Sequence, residues 1–199
     1  KEWVIYLESD KTKFAERSHI YVAALVNLMI IQIKMGRMNE AEKSYEKIKY
    51  LYFSLTPKKR IKTILAAFVN ATSNYISAQV MSGNPEKSLK AWEQVKGSVA
   101  LNILNRNQFL VTCYNLSHTY FMLGNYREAL KWLNRILEFR EKNRLDVQAI
   151  ARIYGLLVHY ELGNYDMLPY TVKSSKRFLI KHNYFYEFEK IMMSYFEKK

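Results

Sequence analysis

The feature that most constrains this chain is a glycine turn that comes round four times. The turns are Met35-Gly36-Arg37-Met38, Ser82-Gly83-Asn84-Pro85, Leu123-Gly124-Asn125-Tyr126 and Leu162-Gly163-Asn164-Tyr165, with glycines 47, 41 and 39 residues apart. Each follows an apolar helical run and precedes an amphipathic one. Glycine suits the left-handed residue that ends a helix, and asparagine suits the cap of the next. Asn125 has Glu128 three residues on, at capping-box spacing, Pro85 takes a first helical position, and Thr56-Pro57 opens a further helix in the same way. Repetition at this period is the signature of stacked helix pairs. The spacing predicts antiparallel pairs over 12–35 with 38–55, 57–82 with 85–99, 105–123 with 126–142, and 146–162 with 165–181. A final helix is expected over 184–197, where Phe185, Phe188, Met192 and Tyr195 form a stripe suited to capping the last pair. Trp3, Val4 and Leu7 resemble the end of a helix, so residues 1–10 are read as the remnant of an upstream helix or linker. Residues 11–199 are then a single repeat domain, and nothing reads as a strand.

Composition agrees with this. Hydrophobic residues at 49% and charged residues at 25% exclude a disordered chain, while six Gly and three Pro disfavour long loops and hairpins. The single cysteine, Cys113, excludes an intrachain disulfide and a Cys-based zinc cage; it reads as a small buried hydrophobe. The longest apolar run, Val22 to Ile33, is interrupted by Asn27 and Gln32 and is too short for a bilayer span. A cytoplasmic setting is expected, and the initial Lys1 leads us to expect an upstream region. The net charge of +13 is divided evenly between the two halves, as in a Lys-rich surface rather than a nucleic-acid arm.

The third unit carries a family resemblance. Its segment Asn115-Leu116-Ser117-His118-Thr119-Tyr120-Phe121-Met122-Leu123-Gly124-Asn125-Tyr126-Arg127-Glu128-Ala129-Leu130 resembles a tetratricopeptide repeat, with Leu116, Tyr120, Gly124, Tyr126 and Ala129 at signature offsets. Met35-Gly36 with Ala41 and Tyr45 is a weaker copy. The fourth unit has the turn but places Leu168 where a small residue is expected, and the second has Ser88 there. The resemblance implies an all-α, right-handed superhelical solenoid of about four antiparallel pairs plus a C-terminal capping helix. The longer period is similar to long-helix variants in bacterial regulatory and scaffold proteins.

Signals for catalysis are absent: there is no phosphate loop, nucleophile elbow, paired-Cys spacing or zinc-binding helix motif. The four histidines are isolated, and Glu40 with Glu42 and Glu187 with Glu189 diverge around their helices. We expect no enzyme and no cofactor. Lys58-Lys59-Arg60 with Lys62 sits unfavourably at a helix start. Lys173, Lys176, Arg177 and Lys181 share one helix face, either as a basic patch or as a solvated surface. Nine residues before each turn glycine stand Asn27, Asn74, Asn115 and Tyr154. By the resemblance this position clamps a ligand backbone; the alternative is that each Asn bonds a neighbouring helix. Asn70, Ser73 and Ser77 in the second unit, and Tyr114, His118 and Phe121 in the third, hold the other concave offsets. The family's carboxylate-clamp cations are not matched. The expected function is a protein- or peptide-binding scaffold, the C-terminal part of a larger bacterial protein. The alternatives are a sensor domain of a transcription regulator and, disfavoured by unfocused charge, a nucleic-acid-binding repeat.

Overall fold

In the computed structural model, which describes residues 18–54, 62–95, 104–139 and 143–198, all regular structure among the described residues is helical. In chain order these are α1 (Ser18–Lys34), α2 (Met38–Ser54), α3 (Lys62–Met81), α4 (Pro85–Glu93), α5 (Arg106–Met122), α6 (Tyr126–Leu137), α7 (Leu145–Glu161), α8 (Leu168–Lys181) and α9 (Glu187–Phe196). A short 3-10 turn, Tyr165–Met167, precedes α8. Compactness divides the chain between Asn105 and Arg106. In the first unit α1 packs on α2, α3 on α4, and both α1 and α2 on α3. In the second, α6 packs on α5 and α7, α7 on α5 and α8, and α9 closes over α7 and α8. Each unit is thus built of consecutive helix pairs laid side by side, the arrangement of an α-α solenoid. Trp3, Val4, Leu7, Thr56-Pro57 and Lys58-Lys59-Arg60 lie outside the described residues.

The repeating turn is one hydrogen-bonded motif. Gly36, Gly83, Gly124 and Gly163 all take φ of 71–73°. The next residue's N–H then reaches back five positions, from Arg37 to Gln32, Asn84 to Gln79, Asn125 to Tyr120 and Asn164 to His159, at 2.8–2.9 Å. This satisfies the orphan carbonyl at each helix end. A fifth copy joins α8 to α9, where Asn183 at φ 60° stands in for glycine and Tyr184 bonds Leu179 at 2.9 Å. Asparagine tolerates this conformation through its short polar side chain. The expected caps fare less evenly. Asn125 Oδ1 accepts from the Glu128 N–H at 3.2 Å. Asn84 instead turns its amide to the Ser82 carbonyl, and Asn164 turns its own to His159.

Two cores follow. In the first unit Tyr45 stacks on Tyr75 at 4.2 Å, and Phe68 stacks on Tyr52 at 4.6 Å. Burial pushes the Tyr45 phenol up to about 12, while its hydroxyl lies 3.2 Å from Thr72 Oγ1. In the second, Leu156, Leu168, Val172, Leu179, Met193 and Phe196 form a cluster under α9. The stripe expected on the last helix is displaced. Met193 and Phe196 are buried, Phe185 and Met192 are half-buried, and Phe188 and Tyr195 are exposed. Cys113 is buried, its thiol raised to about 12 by desolvation.

Candidate functional site

The helices that lead each pair in the second unit, α5 and α7, run side by side and carry matched stripes. On α5, Val111, Tyr114, His118 and Phe121 recur at i, i+3, i+7 and i+10; on α7, Val147, Ile150 and Tyr154 recur at i, i+3 and i+7. At helical periodicity each set shares one face. Tyr154 is the hub. Its ring lies 6.1 Å from Tyr114, 5.4 Å from His118 and 5.1 Å from Phe121, and Phe121 continues to Tyr126 at 5.2 Å. Beyond Tyr114 the groove opens into a cavity of about 290 Å³ lined also by Val111, Val147, Ile150, Arg144 and Asp146. Arg144 pairs with Asp146 through two nitrogens at 2.7–3.2 Å, which holds the Asp146 carboxyl below the usual carboxylate range.

The structure therefore brings Tyr114, His118, Phe121 and Tyr154 together. Asn115, beside them on α5, is buried, and its Nδ2 makes no hydrogen bond; the Tyr154 hydroxyl is likewise enclosed without a partner. Buried donors left unpaired are rare, because each keeps its full desolvation penalty. Burial raises the Tyr154 and Tyr114 phenols and lowers the His118 imidazole. In the first unit the asparagine register leads elsewhere. Asn27 is exposed on α1. Asn74 donates to the Asn70 carbonyl at 2.8 Å and to Asn70 Oδ1 at 3.0 Å, a turn earlier in its own helix. Ser73 is buried and Ser77 half-buried on the same helix.

Val111, Val147, Ile150, Arg144 and Asp146 were not among the residues expected from sequence. The apolar three continue the stripes of Tyr114 and Tyr154 toward the helix N-termini, and that periodicity was the available clue. The basic face on α8 is exposed throughout: Lys173, Lys176 and Arg177 edge a shallow groove with Glu197, which Lys176 meets at 3.6 Å, and Lys181 lies off it. Among the described residues no cluster of three or more His, Cys, Asp or Glu is spaced to hold a metal, and no helix is long and apolar enough to cross a membrane.

His118 and His159 both have pKa values lowered by burial, so the unfolded chain binds protons more readily than the folded one. The sign follows: stability is full above the unfolded value of 6.5 and falls as pH drops below it. The melting temperature is expected to fall between pH 7 and pH 5. The double substitution His118→Gln, His159→Gln should flatten that fall, and an unchanged profile in the variant would refute the assignment. The ion-paired carboxylates Glu42 and Asp146 act separately, because with lowered values their stabilisation is full above about pH 4.5 and is lost only below it.

These units define a helical-repeat protein, with the two helices of each pair joined by one recurring turn. Residues 111–143, which take in most of α5 and all of α6, match the tetratricopeptide repeat family. The chain thus carries a tetratricopeptide-like repeat in its second unit. Such repeats generally mediate protein interactions, which supports an interaction scaffold in general terms. No curated protein matches the chain.

Proposed function

We propose that the chain is a non-catalytic scaffold that seats an extended protein segment in the groove between α5 and α7. One observation carries the reading: the aromatic file of Tyr114, His118, Phe121 and Tyr154, drawn from two helices into ring contact. Rigid amphipathic rings supply contact area at little entropic cost, which suits them to groove walls. The unpaired Asn115 amide adds a donor that a peptide carbonyl satisfies, once the side chains enclosing it rearrange to admit the segment. The cavity beside Tyr114 and Ile150 then takes an apolar side chain of the same segment.

Selection of peptides from a display library against the full chain tests this, with affinities read by fluorescence anisotropy. Enriched peptides should bind Tyr154→Ala at least about tenfold more weakly, a change of about 1.4 kcal/mol. Asn115→Leu should weaken them too while holding or raising the melting temperature, because it removes an unsatisfied buried polar group. Enrichment of no peptide, or of peptides indifferent to both substitutions, would overturn the proposal.

A further inference from the structure

Two residues along a helix are separated by about 200°, so the face of α7 opposite Tyr154 carries Arg152. Seven residues on, His159 shares that face. Both line a second cavity, of about 310 Å³, whose far wall is α8 with Tyr170, Thr171, Ser174 and Ser175, and whose apolar side is Leu137 of α6. None of these lining residues is an acid.

Arg152 is the unexplained member. Its guanidinium lies over the Phe178 ring at 4.1 Å, its Nε is fully enclosed, and it makes no hydrogen bond or ion pair among the described residues. Arginine does not shed its proton in proteins, so this half-buried group is a standing charge. Enclosing one edge of that charge without a counter-ion is unfavourable, and a ring face does not replace the hydrogen bonds its fork is built to make. The rest of the cavity offers further donors. Ser175, 2% exposed, lines the cavity wall, and Ser174 lines it as an exposed residue. The Thr171 hydroxyl is already given to the Met167 carbonyl at 2.9 Å. The His159 Nδ1 lies 3.3 Å from the Asn164 amide nitrogen, so the ring accepts there and keeps its proton on Nε2.

We infer that this cavity binds an oxyanion, a carboxylate or a phosphate carried on a small organic body, with Arg152 as its counter-ion and the serine hydroxyls as supporting donors. The volume exceeds what a bare tetrahedral anion fills, and Leu137 with the Tyr170 ring provides apolar surface for the remainder. The site lies on the other side of α7 from the peptide groove, so neither proposal depends on the other.

The test titrates the full chain with inorganic phosphate, phenyl phosphate and succinate at constant ionic strength, read by calorimetry and backbone amide shifts. At least one should give saturable shifts centred on Arg152, His159 and residues 170–175, and which one saturates separates phosphate from carboxylate. Arg152→Met should lose that binding at least about tenfold, with a melting temperature no lower than the parent. Ser174→Asp, which places a carboxylate at the mouth, should raise the melting temperature and abolish anion binding. No saturation by any of the three probes, or binding that survives Arg152→Met unchanged, would overturn the inference.

Discussion

Phe68→Ala is expected to destabilise the protein by about 3–5 kcal/mol, the usual cost of removing a fully enclosed ring. Phe68 is completely buried and stands at the centre of the first unit's aromatic stack. Tyr52 lies parallel to it at 4.6 Å, Phe53 meets it edge-on at 5.7 Å, and Tyr45 is stacked at 6.4 Å. One turn later Thr72 joins the polar ends of the same assembly, donating to the Phe68 carbonyl at 2.9 Å and meeting the Tyr45 hydroxyl at 3.2 Å. Truncation leaves a void walled by rigid rings that collapse poorly into it, which places the cost toward the upper part of that range. Phe68→Leu retains most of the volume and should cost markedly less. Denaturant midpoints for the two variants decide the matter, and a shift below about 1 kcal/mol for Phe68→Ala would mean that the stack is not the core.

The helix pairs were legible because their punctuation is local. A glycine that must take positive φ announces a helix end without reference to any neighbour, and four of the five recurring turns were readable for that reason. The fifth was missed because Asn183 meets the same requirement with a residue common elsewhere. The site was less legible, since a side chain's environment depends on what other helices bring to it. Asn27, Asn74 and Asn115 share one register position, yet one is exposed, one bonds its own helix and one is enclosed with an unpaired amide. Aromatic residues pose the same difficulty. Tyr45, Phe68 and Tyr75 went to a core while Tyr114, Phe121 and Tyr154 went to a groove, all at helical spacing. On α9 both faces are apolar. Periodicity cannot choose between the Phe188–Tyr195 side and the buried Met193–Phe196 side; packing against α7 and α8 does.

Ala41, Ser88, Ala129 and Leu168 each stand five residues after a turn glycine, and all four are completely buried. Three are small, as expected where paired helices approach most closely; Ser88 even reaches across to donate to the Ile76 carbonyl at 3.2 Å. The fourth pair is built differently. Its second helix is preceded by the 3-10 turn Tyr165–Met167, α8 begins at Leu168, and that side chain fills the core with Leu156 and Val172. The same offset therefore takes a small residue in one pair and a large one in the next, and exchanging the two types should harm both. Leu168→Ala is expected to cost about 2–5 kcal/mol through the cavity it leaves. Ala129→Leu is expected to cost about 1–3 kcal/mol, because Ala129 is completely buried and the added atoms must displace its neighbours. Thermal and denaturant unfolding of the two variants measure this directly. A stabilising Ala129→Leu, or a Leu168→Ala that costs under about 1 kcal/mol, would show that the closest approach of the helices lies elsewhere. Both losses together would establish that each pair sets its own helix spacing through this one residue, while the glycine turn ahead of it stays the same.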